Sequence, residues 1–191
     1  EVKIASDGEI LVRGENVMNG YWNDPEATSS TIIDGWVHTG DIGSFDEDQY
    51  LKITDRKKDI IVNAGGDNIS PSRIEEKLNI EPQIAQSMLY GDFKNYLVAI
   101  IVPDKEQALL WAKENNKKPE MPLLINDEDF IKMIKEVTNK VNKNLSVIEQ
   151  VRKFILFDEE FTIENDMMTP TMKVKRFKVK NIFGARLEEL Y

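Results

Sequence analysis

Apolar and polar positions alternate with a period of two at the start of the chain. Val2–Ile4 and Glu9–Arg13 flank Ser6-Asp7-Gly8, which predicts a hairpin. A second hairpin is predicted where Asp46-Glu47-Asp48 separates Ile42–Phe45 from Tyr50–Ile53. Asn23-Asp24-Pro25 opens a short helical or turn segment, with Asp24 or Asn23 as its cap. Asp34-Gly35-Trp36 to Thr39-Gly40-Asp41 reads as loop and short strand. Thr54-Asp55-Arg56-Lys57-Lys58-Asp59 is polar throughout and reads as a linker.

Beyond it the periods change. Ile60-Ile61-Val62 predicts a buried strand, and Ala64-Gly65-Gly66-Asp67-Asn68 a turn. Ser70-Pro71 starts a helix whose apolar face carries Ile74 and Leu78. Ala85–Tyr90 and Tyr96–Val102 form a hairpin or adjacent strands. Pro103-Asp104 caps a helix reaching about Asn115, and residues 116–126 read as a polar loop. Asp127 to Leu145 is the clearest helix, with Phe130, Ile134, Val137, Val141 and Leu145 on one stripe. Phe154–Phe157 is a short strand, Thr162–Met172 a loop, and residues 175–189 a helix with Phe177, Ile182, Phe183 and Leu187 as its stripe. The fold class is therefore α+β: a β-rich piece, then a small α+β domain with a short sheet flanked by helices.

Charge sharpens the division. The 191 residues carry 34 acidic and 25 basic side chains, net −9. The whole excess lies in residues 1–55, while residues 56–191 are neutral. We therefore expect two domains, 1–55 and 56–191. An acidic balance argues against nucleic acid as a partner. With no cysteine and one histidine, His38, a thiolate zinc site, a disulfide framework and a polyhistidine metal site are excluded. No apolar run nears a membrane span and no signal peptide opens the chain, so the cytosol is the expected compartment. Glu1 begins in mid-sheet, and a piece of a longer protein is expected.

Few residues carry chemistry on their own. No phosphate loop of the form G-x-x-x-x-G-K-[ST] is present. Asp41 follows Gly40 at the end of a strand-like run, where a carboxylate can accept from two vicinal hydroxyls such as a ribose offers, or simply cap a turn. Lys173 follows the stiff Thr169-Pro170-Thr171-Met172, where an ammonium can meet an oxyanion or simply face water. Lys173, Lys175, Arg176, Lys178 and Lys180 make one basic block, either a solvated helix face or a docking patch. Met167, Met168 and Met172 either line an acyl pocket or fill gaps.

Taken in order, five segments match a known pattern. They are Gly20-Tyr21-Trp22, His38-Thr39-Gly40-Asp41, Asp55-Arg56-Lys57-Lys58-Asp59, Gly65-Gly66-Asp67-Asn68-Ile69 with Ile74-Glu75, and Thr169-Pro170-Thr171-Met172-Lys173. Together they make the whole chain resemble the C-terminal part of an AMP-forming acyl-CoA synthetase of the adenylate-forming superfamily, nearest its long-chain fatty acid branch.

The resemblance implies two half-reactions: a carboxylate displaces pyrophosphate from ATP, then the thiol of coenzyme A displaces AMP. It implies Lys173 as the adenylation lysine, Asp41 on the ribose hydroxyls, and Arg56 on the ribose or the nearby phosphate. Lys58 falls at the hinge, and Gly65 and Gly66 in the loop facing the site during thioester formation. Residues 1–55 would end the large N-terminal domain, in a β-rich, distorted-barrel subdomain, and residues 56–191 would be the mobile lid. Substrates would be fatty acid, ATP and coenzyme A, with Mg2+ bound mainly outside this chain and the N-terminal domain as partner in cis. The 191 residues alone are expected to be inactive. Peripheral contact with the inner face of a membrane stays open. Two departures stand out: Asp55 replaces a frequent glycine, and Asn68 a frequent arginine. Alternatives are a ligase for another acid or for acyl carrier protein, and a non-catalytic interaction domain of the same fold.

Overall fold

Strand β4, Trp36–Phe45, organises the first part of the chain. In the computed structural model, which describes residues 1–191, it pairs antiparallel with three neighbours: β2 (Glu9–Val12), β3 (Ile32–Ile33) and β5 (Leu51–Arg56). β1 (Val2–Ile4) adds to β2 through the first predicted hairpin. The five strands form an open sheet, with no strand pair closing it into a barrel. A short helix, α1 (Pro25–Thr31), precedes β3; the Asp24 carboxylate accepts from the Ala27 N–H at 2.9 Å and caps it. Asp46 tightens the β4–β5 turn by accepting from the N–H groups of Asp48 and Tyr50.

The polar run at 54–59 is not a free linker. Thr54 to Arg56 complete β5, and Lys57–Asp59 form a single 3-10 turn. Thr54, Arg56 and Lys57 find partners 12 to 50 positions away, which composition cannot show. The compact unit Glu1–Ile60 ends there, and a second, Ile61–Tyr191, begins.

The second unit is built around β9, Leu97–Pro103. β8 (Ile84–Tyr90) pairs antiparallel on one side and β10 (Val151–Leu156) parallel on the other. Every residue of β9 is buried, as a strand covered on both faces requires. Its alternation divides the core in two. Leu97, Ala99 and Ile101 meet Ile74 and Leu78 of α2 (Pro71–Asn79), Ala108 and Ala112 of α3 (Lys105–Glu114), and Phe130 and Ile134 of α5 (Glu128–Asn142). Val98, Ile100 and Val102 meet Phe161, Met167, Met168, and Val179, Phe183 and Leu187 of α6 (Arg176–Glu188). Ile61–Val62 (β6) and Asn68–Ile69 (β7) form a separate two-stranded ribbon before α2.

Three expectations change. The loop at 116–126 contains a helical turn, α4 (Met121–Leu124), with Pro122 in its first turn and Met121 and Leu124 buried. Asp127 is the cap of α5, which stops at Asn142, short of Leu145. On α6, Phe177 and Ile182 are exposed; the buried stripe is Val179, Phe183 and Leu187, at intervals of one helical turn. No helix is long and apolar enough to cross a membrane.

Candidate functional site

The first unit brings Asp41 and Arg56 together. The β4–β5 register sets them opposite each other, and Arg56 Nε donates to Asp41 Oδ1 at 2.8 Å. Arg56 is about half exposed, so its remaining N–H donors face outward. A carboxylate and a guanidinium side by side suit a ligand with both hydroxyls and a phosphate.

Behind Asp41 lies a buried carboxylate. Glu9 Oε1 accepts from the Gly40 N–H at 2.9 Å, while Oε2 meets His38 Nδ1 at 2.8 Å and accepts from Lys57 Nζ at 3.0 Å. Burial alone would raise the Glu9 carboxyl; the hydrogen bonds from His38, Lys57 and Gly40 outweigh it and hold it below the usual range. Lys57 also donates to Asp7 at 2.7 Å, and both bonds push its ammonium further up. Gly40 has φ +70°, which a side chain would strain, so Glu9 fixes a backbone that only glycine adopts easily. The next residue in the run, Lys58, is exposed and makes no ion pair.

The second unit carries the other candidates. Gly65 and Gly66 sit at the tip of the β6–β7 ribbon. Asn63 and Asp67 close this loop: Asp67 N–H donates to Asn63 Oδ1 at 2.9 Å and Asn63 Nδ2 donates to Asp67 Oδ2 at 3.0 Å. Gly66 has φ +86°, and a Cβ there would meet nothing within 4 Å, so the loop tip presents bare backbone.

Lys173 lies in a hairpin-like loop. Met168 bridges Val174, Thr169 N–H donates to the Lys173 carbonyl at 2.8 Å, and Lys173 N–H donates to Thr169 Oγ1 at 3.1 Å. Met172 takes φ +60° and is exposed, while Met167 and Met168 are core filler rather than a pocket lining. Most of the basic block is engaged within the domain. Lys175 and Lys178 both pair with Asp166, whose carboxyl they hold down to about 2. Arg176 grips Glu75 with two bonds, and Lys180 lies over the Tyr90 ring at 5.1 Å. Lys173 alone is exposed, without an ion pair or a ring beneath it. Of the five cations, only Lys173 has neither a carboxylate nor a ring as partner.

Asp41 and Arg56 are thus joined in the first unit, with Lys58 two residues on; Gly65, Gly66 and Lys173 belong to the second. Glu9 was singled out by no sequence reading, and Lys57 and Arg176 stood in the quoted segments without the partners the structure gives them. Glu9 offers only a weak signal, a charged residue opening the apolar run Ile10-Leu11-Val12. No group of three His, Asp or Glu side chains gathers as a metal site.

A long-chain-fatty-acid–CoA ligase of Mycobacterium tuberculosis, FadD15, is 41% identical over 192 aligned residues, covering 100% of this chain and 32% of its own. The chain thus spans about a third of the length of that curated relative. The adenylation domain of a carboxylate reductase from Mycobacterium chelonae superposes with a TM-score of 0.81 at 28% identity, over 96% of this chain and 27% of that one. A carboxylic acid reductase A domain from Segniliparus rugosus, solved with AMP and a co-purified carboxylic acid, gives 0.80 at 27%, over 96% of this chain and 28% of that one. The profile of the AMP-binding enzyme C-terminal domain matches residues 58–191, and the chain belongs to that family.

Proposed function

We propose that the chain is the C-terminal part of an AMP-forming long-chain fatty acid–CoA ligase. The observation that carries this reading is Lys173, the one cation of its block with neither an ion pair nor a ring beneath it, held at the base of a pinned turn. Adenylation brings a carboxylate against a polyphosphate, and a preorganised cation stabilises the crowded negative charge. The carboxylate oxygen attacks the α-phosphorus, the bond to the bridging oxygen breaks, and pyrophosphate leaves with the electron pair. Lys173 Nζ holds the attacking oxygen and the α-phosphate together. Asp41 accepts from the ribose hydroxyls, and Arg56 donates to the ribose or the neighbouring phosphate. In the second half-reaction the coenzyme A sulfur attacks the acyl carbon, its proton goes to solvent, and AMP leaves.

In this reading residues 1–55 close the large domain, 56–191 form the lid, and Lys58 is the hinge. A residue whose backbone must turn fits an exposed 3-10 turn with an unpaired side chain. Gly65 and Gly66 would let the pantetheine thiol pass, Gly66 with open space around it and Gly65 with the Asn63 and Asp67 side chains close by. Magnesium, which normally accompanies ATP, is assigned to no residue of this chain. The site is proposed to work in a cytosolic enzyme.

The test is acid-dependent AMP release by the full-length enzyme across short, aromatic and long-chain acids. We expect turnover with long chains. Turnover confined to another acid class selects the sister ligase, and ATP-independent binding without turnover selects the interaction domain.

A further inference from the structure

We infer that Glu75 is a positioning residue for the adenylation lysine, acting through Arg176. The inference rests on the ligase reading of Lys173. Glu75 stands on α2, and Arg176 opens α6, 101 residues later and three beyond Lys173. Arg176 Nη1 donates to Glu75 Oε1 at 2.8 Å and Nη2 donates to Oε2 at 2.5 Å. A planar fork on a carboxylate fixes direction as well as distance, which a lysine cannot do.

The carboxylate is itself held. Glu75 is 8% exposed, and its Oε1 also accepts from the Leu89 N–H of β8 at 2.7 Å. Ile74 and Leu78 beside it are fully buried in the core. The grip therefore transmits the position of α2 and the central sheet to the first residue of α6. Lys175 N–H donates to the Met167 carbonyl at 2.8 Å, and Asp166 pairs with Lys175 and Lys178. Asp166 lies exposed on the loop itself, whereas Glu75 is the buried anchor that ties the loop's exit to α2 and the central sheet. Lys173 is then left with its charge free and its backbone fixed, the condition that electrostatic preorganisation requires. A misplacement of about 1 Å costs a catalytic group on the order of 10²-fold in rate.

The experiment uses the full-length enzyme and measures the half-reactions separately: pyrophosphate release from acid and ATP, and thioester formation from supplied acyl-adenylate. Glu75→Gln keeps an acceptor for the Leu89 N–H but loses the ionic fork. Arg176→Lys keeps the charge and loses the second bond, and serves if the first variant folds poorly. We expect adenylation kcat to fall about 10²-fold in Glu75→Gln and less in Arg176→Lys. KM for ATP should hold and the thioester step should keep its wild-type rate. A merely structural role would lower both half-reactions together, in step with the melting temperature, and would overturn the inference. So would an unchanged adenylation rate in both variants, provided Lys173→Ala abolishes adenylation in the same assay. If Lys173→Ala leaves adenylation intact, the ligase reading of Lys173 falls first and takes this inference with it.

Discussion

The two units solve the problem of burial in opposite ways. Among residues 1–60 the buried apolar side chains are Ile10 and Leu11, alongside the carboxylates of Glu9 and Asp55, and none is sealed as completely as Phe130 or Ile74. The surface of this unit includes Trp22 at 98% exposed, Tyr50 and Ile53. The second unit covers both faces of β9 with apolar side chains and keeps Glu75 paired at their edge. One unit is thus ordered mainly by strand pairing and a charged network, the other mainly by core packing. Polar order is directional and sensitive to pH, whereas packing is sensitive to volume.

The largest expected effect follows from that contrast. Phe130 is fully buried and meets Trp111 edge-on at 5.1 Å between ring centres. Phe130→Ala should cost the second unit about 3–5 kcal/mol. Amide exchange would then accelerate in β8, β9 and β10 and stay unchanged in β4 and β5. Equal acceleration in both units would break the comparison.

A smaller effect is expected in the first unit. Glu9→Gln keeps an acceptor for the Gly40 N–H but loses the charge facing Lys57, at a cost of about 1–3 kcal/mol. The pH dependence gives the same test a sign. The folded-state carboxyl lies below its ordinary value of 4.5, so its contribution is complete above that pH and is lost as pH falls through the folded value. Unfolding monitored between pH 7 and 3 should show this loss in β4 exchange for the native chain. The Gln variant should lack it.

The smallest effect concerns α6. Phe177→Ala and Ile182→Ala remove exposed side chains and should change stability by no more than about 0.5 kcal/mol. A loss matching that of Val179→Ala would restore the stripe expected from sequence.

Local patterns were legible because they need only neighbours. The β8–β9 pair, the Asp104 and Asp127 caps and the Phe130–Ile134 stripe all repeat at short spacing. The α6 stripe was misread because several apolar residues on a short helix permit more than one face, and only β9 decides which is buried. Met121–Leu124 hid among polar neighbours whose surroundings conceal two buried side chains. Asp41, Arg56 and Lys173 were visible through their motifs. The pairings around them were not: Glu9 reaches Lys57 across 48 positions and Glu75 reaches Arg176 across 101, beyond the range of any local period.

The central claim is that Lys173 serves adenylation and not thioester formation. Its most direct test is Lys173→Ala in the full-length enzyme, with pyrophosphate release and thioester formation from supplied acyl-adenylate measured side by side. The account predicts that the first collapses and the second survives. Equal survival of both, or equal loss of both in a folded variant, would contradict it.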